Sequence, residues 1–144
     1  MSDTRVVCTH CGAVNRLPTG REASAAKCGS CGEMLFTGEP ADVPGDMFER
    51  QIARSTVPVV VDVWAPWCGP CHAMAPEYEK AAQATEPRAR FLKLNSDNEQ
   101  EIAGRLGIRG IPTMLVYRDG KEIARTSGAR PAGDIVRWLE HAIG

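Results

Sequence analysis

Val59-Val60-Val61-Asp62-Val63-Trp64-Ala65-Pro66-Trp67-Cys68-Gly69-Pro70-Cys71 holds the end of a buried strand and the beginning of a helix. The run from Val57 to Ala65 is β-branched and nearly continuous in apolar character, as in a central strand covered on both faces. Pro70 suits the first turn of a helix, and the spacing predicts a helix over 70–85 with a kink where Pro76 lacks its N–H. Unpaired N–H groups and the positive end of the helix dipole at this junction favour thiolate at Cys68. Cys71 lies within the first turn, near enough to close a disulfide and more enclosed, so the pair reads as a nucleophile and its resolving partner. Half of a metal site is the competing reading of the pair, weakened by the strand-to-helix context.

Outward from this stretch the helix and strand periods alternate. Asp46 with Glu49 forms a capping box, with Phe48 and Ile52 on one face, which predicts a short helix over 46–54. Further segments are a strand at 91–95, a helix over 98–106 closed by Gly107, and a strand at 113–118. Asp119-Gly120 supplies a two-residue hairpin turn into a strand at 121–127. A final helix over about 131–143 sets Ile135, Val136, Leu139, Ala142 and Ile143 on one stripe. Strands joined through helices predict parallel pairing, and the late hairpin an antiparallel edge. The fold class is α/β, a mixed sheet with helices on both faces.

The chain has 144 residues, 43% of them hydrophobic and 24% charged, enough for one ordinary domain and a small appendage. Val57–Ala65, interrupted by Pro58 and Asp62, is far too short to span a membrane. Asp3, Arg5, Arg16 and Arg21 break up the first 25 residues, so no export leader is expected. A net charge of −1 offers no footprint for nucleic acid or an anionic membrane. Residues 1–45 show little apolar periodicity beyond Val6 and Val7 and could not build a core alone, and within them 1–37 reads as a small separate module. The stretch 38–45, with two prolines, reads as a linker or edge segment, and 46–144 as the main domain.

What the first segment has is cysteine. Cys8-Thr9-His10-Cys11-Gly12 and Cys28-Gly29-Ser30-Cys31-Gly32 are two knuckles at the spacing of a zinc ribbon. Four thiolates close a tetrahedral site with no open position, so such a zinc is structural and its binding folds the segment. Iron in a rubredoxin-like site would take the same ligands, but no aromatic residue between Cys8 and Cys31 shields it. Two redox dithiols, or His10 in place of one cysteine, are further readings. The expectation is one Zn2+ per chain on Cys8, Cys11, Cys28 and Cys31, with no organic cofactor.

Trp67-Cys68-Gly69-Pro70-Cys71 resembles the active-site sequence of the thioredoxin family, and the similarity runs from residue 46 to the C-terminus. A zinc ribbon ahead of such a domain resembles the zinc-containing bacterial thioredoxin 2 type. The resemblance implies a thioredoxin fold and a protein-disulfide reductase in which Cys68 attacks a substrate disulfide and Cys71 resolves the mixed disulfide. It further implies that Asp62 is a buried carboxylate taking the Cys71 proton, with Lys93 near it. Gly110-Ile111-Pro112-Thr113 resembles the cis-proline loop of the family, where the Ile111 backbone pairs with substrate. Gly128 and Ala129 match the loop that completes the groove, Trp67 offers an apolar rim, and Gly69 and Pro70 lie between the sulfurs. Trp64 reads as core. His72 stands where the family often has lysine and Pro66 where an acid is common, which bears on partner preference and potential.

The partners so implied are thioredoxin reductase, itself fed by NADPH, and disulfide-bearing client proteins, including oxidant-damaged ones. Neither nucleic acid nor membrane is expected, and the protein reads as a cytoplasmic monomer. Rival readings make the ribbon a protein-binding module, make its thiolates an oxidant sensor, or make the dithiol an oxidant or isomerase.

Overall fold

The computed structural model describes residues 4–18, 20 and 22–144, so Asp3 and Arg21, read against an export leader, lie outside it. Five strands form the main sheet in the order β3-β5-β4-β6-β7. They are β3 (Ala41–Asp42), β4 (Val59–Trp64), β5 (Arg90–Asn95), β6 (Thr113–Arg118) and β7 (Lys121–Ser127). The helices are α1 (Gly45–Arg54), α2 (Gly69–Thr85), α3 (Gln100–Arg105) and α4 (Ala132–Ile143). None of the described helices is long and apolar enough to cross a membrane.

β4 is the central strand, and its alternation decides the two cores. Val59, Val61 and Val63 join Phe48, Leu92, Leu94, Ile102 and Leu115 on the side of α1 and α3. Val60 packs with Met74, Tyr78, Phe91, Met114, Ile135 and Leu139 on the side of α2 and α4. Asp62 shares the face of Val60 by parity. A carboxyl therefore occupies what is otherwise a core position.

The α2 helix runs through Pro76 as one element. Asp119 and Gly120 both adopt positive φ, 53° and 79°, in the tight turn between β6 and β7. The segment read as a linker places β3 on the sheet edge, parallel to β5. Three expectations are corrected. The capping box does not form, because Pro44 is the N-cap and α1 starts at Gly45. Asp46 Oδ1 instead accepts from the Met47 N–H at 2.8 Å, and Glu49 pairs with Arg105 at 2.7 Å. The α3 helix is shorter than the 98–106 predicted. Finally, β6 follows a helix yet pairs antiparallel to β4. Six helical residues span about 9 Å, less than half the length of a six-residue strand, so α3 cannot carry the chain back for a parallel start.

The first segment is an antiparallel hairpin, β1 (Thr4–Val7) and β2 (Val14–Leu17), followed by a short 3-10 turn at Ala23–Ala25. Its small core joins Val6, Leu17, Ala26, Leu35 and Phe36 to the Cys8 and Cys28 side chains. It is sewn to the main sheet by buried hydrogen bonds. The Val7 carbonyl accepts from Gln51 Nε2 and from Arg90 NH2, each at 3.0 Å. The Arg90 guanidinium lies 4.3 Å from the Phe36 ring centroid, and burial loosens its hold on its proton, partly offset by Glu86.

Candidate active site and metal centre

Cys68 is the N-cap of α2, and its sulfur accepts the Cys71 N–H at 3.2 Å. The helix therefore directs one of its unpaired donors and its dipole at this sulfur. Cys68 and Cys71 are joined in a disulfide with Cα atoms 5.2 Å apart. Both are buried, 4% and 3% exposed, so Cys71 is no more enclosed than Cys68. What separates them is direction. Cys68 lines an open groove of about 630 Å³ and Cys71 does not.

Trp67, Gly69, Pro70 and Ile111 line the same groove, and Trp67, 71% exposed, forms its rim. The Trp67 indole N–H donates to Asp97 Oδ1 at 3.1 Å. Cys68 Sγ lies 3.8 Å from the Ile111 carbonyl oxygen, and the Ile111–Pro112 peptide is cis. Pro112 is buried behind the groove, its carbonyl accepting from the Gly128 N–H at 2.9 Å. Gly128 and Ala129 are exposed beside it and are not part of the groove lining. Sequence reasoning missed Ser96, Gln100 and Arg109, which also line the groove. Only the position of Arg109, directly before Gly110-Ile111-Pro112, could have signalled one of them. The two departures from the family pattern meet: His72 Nε2 donates to the Pro66 carbonyl at 2.6 Å, which fixes a proton on Nε2.

Asp62 is 1% exposed, and neither carboxyl oxygen has a hydrogen-bond partner among the described residues. Burial raises its pKa to about 7, against the attraction of Lys93 and with the repulsion of Asp42. Lys93 is Asp62's register partner on β5, and its Nζ sits 4.6 Å from the centroid of the Trp64 ring. Trp64 in turn packs against the cluster of Ala65, Cys68 and Cys71.

At the other end of the chain Cys8, Cys11, Cys28 and Cys31 bring their sulfurs within 4.8 Å of one another. Cys8 and Cys31 sulfurs are 3.7 Å apart, and those of Cys11 and Cys28 are 3.6 Å apart. Sulfurs at about 2.3 Å from a tetrahedral zinc would lie about 3.8 Å apart, so the set fits that ion. The knuckles are near copies. His10 N–H donates to Cys8 Sγ and Ser30 N–H to Cys28 Sγ, each at 3.4 Å. Gly12 and Gly32, at φ 78° and 80°, turn the chain back in a conformation that favours glycine. The Asn15 amide and nearby backbone N–H groups hold the Cys28 thiol down to about 6, whereas burial and neighbouring sulfurs push the Cys11 and Cys31 thiols up, so without a cation the four do not all ionise together.

The family description "Thioredoxin" matches residues 39–141, and "Thioredoxin 2, N-terminal", a zinc ribbon, matches residues 7–33. Thioredoxin C-3 of Corynebacterium nephridii is 34% identical over 138 residues, covering 96% of this chain and 94% of that protein. Thioredoxin 1 of a Nostoc species is 38% identical over 100 residues, covering 69% of this chain and 94% of its own. The crystal structure of thioredoxin F from spinach chloroplast superposes with a TM-score of 0.68 at 32% identity. It covers 74% of this chain and 88% of that one.

Proposed function

The chain belongs to the thioredoxin family of protein-disulfide oxidoreductases and carries the N-terminal zinc ribbon of thioredoxin 2, and from that premise we propose what each residue does. In the reduced protein the Cys68 thiolate attacks one sulfur of a client disulfide. A mixed disulfide forms and the other client sulfur leaves as thiolate. Cys71 gives its proton to Asp62 and attacks the Cys68 sulfur. The second client sulfur leaves as thiolate and takes a proton from water, and two electrons have passed to the client as the Cys68–Cys71 disulfide closes. Lys93 bears on the charge of Asp62. Trp67, Gly69, Pro70, Ile111 and Pro112 form the wall against which an extended client segment lies, completed by Gly128 and Ala129.

The observation that carries this reading is the Cys68 sulfur, N-cap of α2 and part of the groove lining, with Cys71 at disulfide distance behind it. Oxidised protein is recharged by NADPH through thioredoxin reductase. The ribbon, residues 1–37, holds one Zn2+ on Cys8, Cys11, Cys28 and Cys31. It is joined by 38–45 to the catalytic domain of 46–144, and no organic cofactor takes part. A four-cysteine zinc site needs its thiols kept reduced, which supports a reducing compartment, the cytoplasm. Among the described residues the large exposed hydrophobics are Trp67 and Ile123, which supports a monomer.

The test is insulin reduction coupled to thioredoxin reductase, with zinc measured on the same samples. Cys68→Ser should abolish NADPH consumption and keep one equivalent of zinc, whereas Cys8→Ser should lose zinc and retain exchange. Full activity in Cys68→Ser would refute the assignment.

A further inference from the structure

Three adjacent strands carry a row of charges. Asp42 is the direct register partner of Lys93 across β3 and β5, and Lys93 is that of Asp62 across β5 and β4. Partners in a parallel ladder share a face of the sheet, so Lys93 stands between the two aspartates in the row on the side covered by α2, and its charge attracts both carboxylates. The two carboxyls differ in access to water: Asp42 is exposed at the sheet edge, whereas Asp62 is buried. Partial burial raises the pKa of Asp42, while the charge of Lys93 and the Trp64 side chain favour its carboxylate. A charged Asp42 draws the lysine toward the edge and adds its own repulsion, and both effects make Asp62 hold a proton more firmly.

Apart from Trp64, which bears on both Asp42 and Lys93, the remaining groups on this face are engaged elsewhere or uncharged. From α2, the Tyr78 hydroxyl donates to the Leu92 carbonyl at 2.7 Å and lies 3.2 Å from that of Val60. His72 is engaged with the Pro66 carbonyl, and Cys71 is in the disulfide. From β6, the register partner of Asp62 is Met114, which carries no charge. Lys93 lies over Trp64, and Trp64 packs on the sulfur cluster, so the row ends at the reacting atoms.

We propose that Asp42 is a positioning residue for the exchange reaction: by sharing Lys93 with Asp62, it sets how readily Asp62 takes up and gives back the proton of Cys71. This rests on the reading above that Asp62 accepts that proton. It also gives the segment between ribbon and catalytic domain a chemical part, since β3 brings the second carboxyl to the sheet.

The test is titration of the Asp62 carboxyl by carbon-13 NMR in the full-length zinc-loaded protein, with the pH profile of insulin reduction measured in parallel. Asp42→Asn should lower the Asp62 midpoint by about half a pH unit, about a threefold change in proton affinity. The activity profile should move with it. Lys93→Met should raise the midpoint, and in that background Asp42→Asn should have a smaller effect. Asp42→Glu, which restores the charge, should behave as the wild type. A midpoint within about 0.1 unit of wild type in Asp42→Asn, or the same shift in Asp42→Glu as in Asp42→Asn, would overturn the role of Asp42. If Asp62→Asn leaves the activity profile unchanged, the proton-acceptor reading and with it the catalytic meaning of the row are refuted. The midpoint shift would still report the charge coupling.

Discussion

The ribbon knuckles and the active-site turn share a Cys-x-x-Cys spacing and even a hydrogen bond. Gly12 N–H donates to the Cys8 carbonyl and Gly32 N–H to that of Cys28, each at 2.9 Å, while His72 N–H donates to that of Cys68 at 3.2 Å. What differs is the residue after the second cysteine. Glycine at positive φ reverses the chain in each knuckle and leaves the sulfurs pointing at a common centre. After Cys71 the chain continues through His72 and Ala73 within α2, whose dipole acts on Cys68 at its N-cap. On the proposed reading one spacing yields a ligand set in the first case and a nucleophile in the second.

Removing the metal separates the two most sharply. Cys28→Ser, or a strong chelator, should unfold the ribbon, because structural zinc contributes about 10 kcal/mol or more to the folding of such segments. Amide exchange protection should vanish at Val6, Val7 and Leu17 and persist at Val60, Val61 and Val63, with insulin reduction changed less than about tenfold. Loss of protection in β4 as well would show that the halves fold as one unit through Arg90 and Gln51.

The next effect lies on the catalytic side. The raised Asp62 pKa means that the folded protein binds more protons than the unfolded chain between about pH 4 and 7, so stability falls as pH rises through that window. Asp62→Asn should therefore stabilise the protein by about 2–4 kcal/mol at pH 8 and have little effect below pH 4. Denaturant unfolding at the two pH values checks this. An equal effect at both would mean that the carboxyl is not held proton-bound by burial.

The smallest effects compare glycines directly. Gly12→Ala should cost about 1–2 kcal/mol, since φ is 78° and a Cβ would come within 3.3 Å of Arg50 Nε. Gly69→Ala, at ordinary φ with nothing within 4 Å of a Cβ, should change stability by less than about 0.5 kcal/mol. Urea unfolding of both variants sharpens the contrast between reversal and continuation.

Much of this was legible locally. The strand–turn–helix at Val59–Cys71, the Asp119-Gly120 turn and the α4 stripe are short-range patterns, and the knuckle spacing marked all four sulfurs that converge. Contacts between distant segments were not legible. The β1–β2 hairpin carries few apolar residues of its own and completes its core with cysteine side chains, Leu35, Phe36 and Val57. Arg90 and Gln51 look like ordinary polar residues until the Val7 carbonyl is found between them. Asp42 looked like part of a linker because a two-residue strand has no period to read. The direction of β6 depended on the length of α3, and helix ends are the least determined feature of a sequence.

The central claim is that six cysteines divide into four that hold a metal and two that exchange. Alkylation of native, reduced, zinc-loaded protein, followed by mass spectrometry of its peptides, measures this division directly. The account predicts rapid modification of Cys68, slower modification of Cys71 behind it, and constant zinc, with Cys8, Cys11, Cys28 and Cys31 modified only after a chelator is added. Modification of all six together, or zinc release in step with the reaction of Cys68, would contradict it.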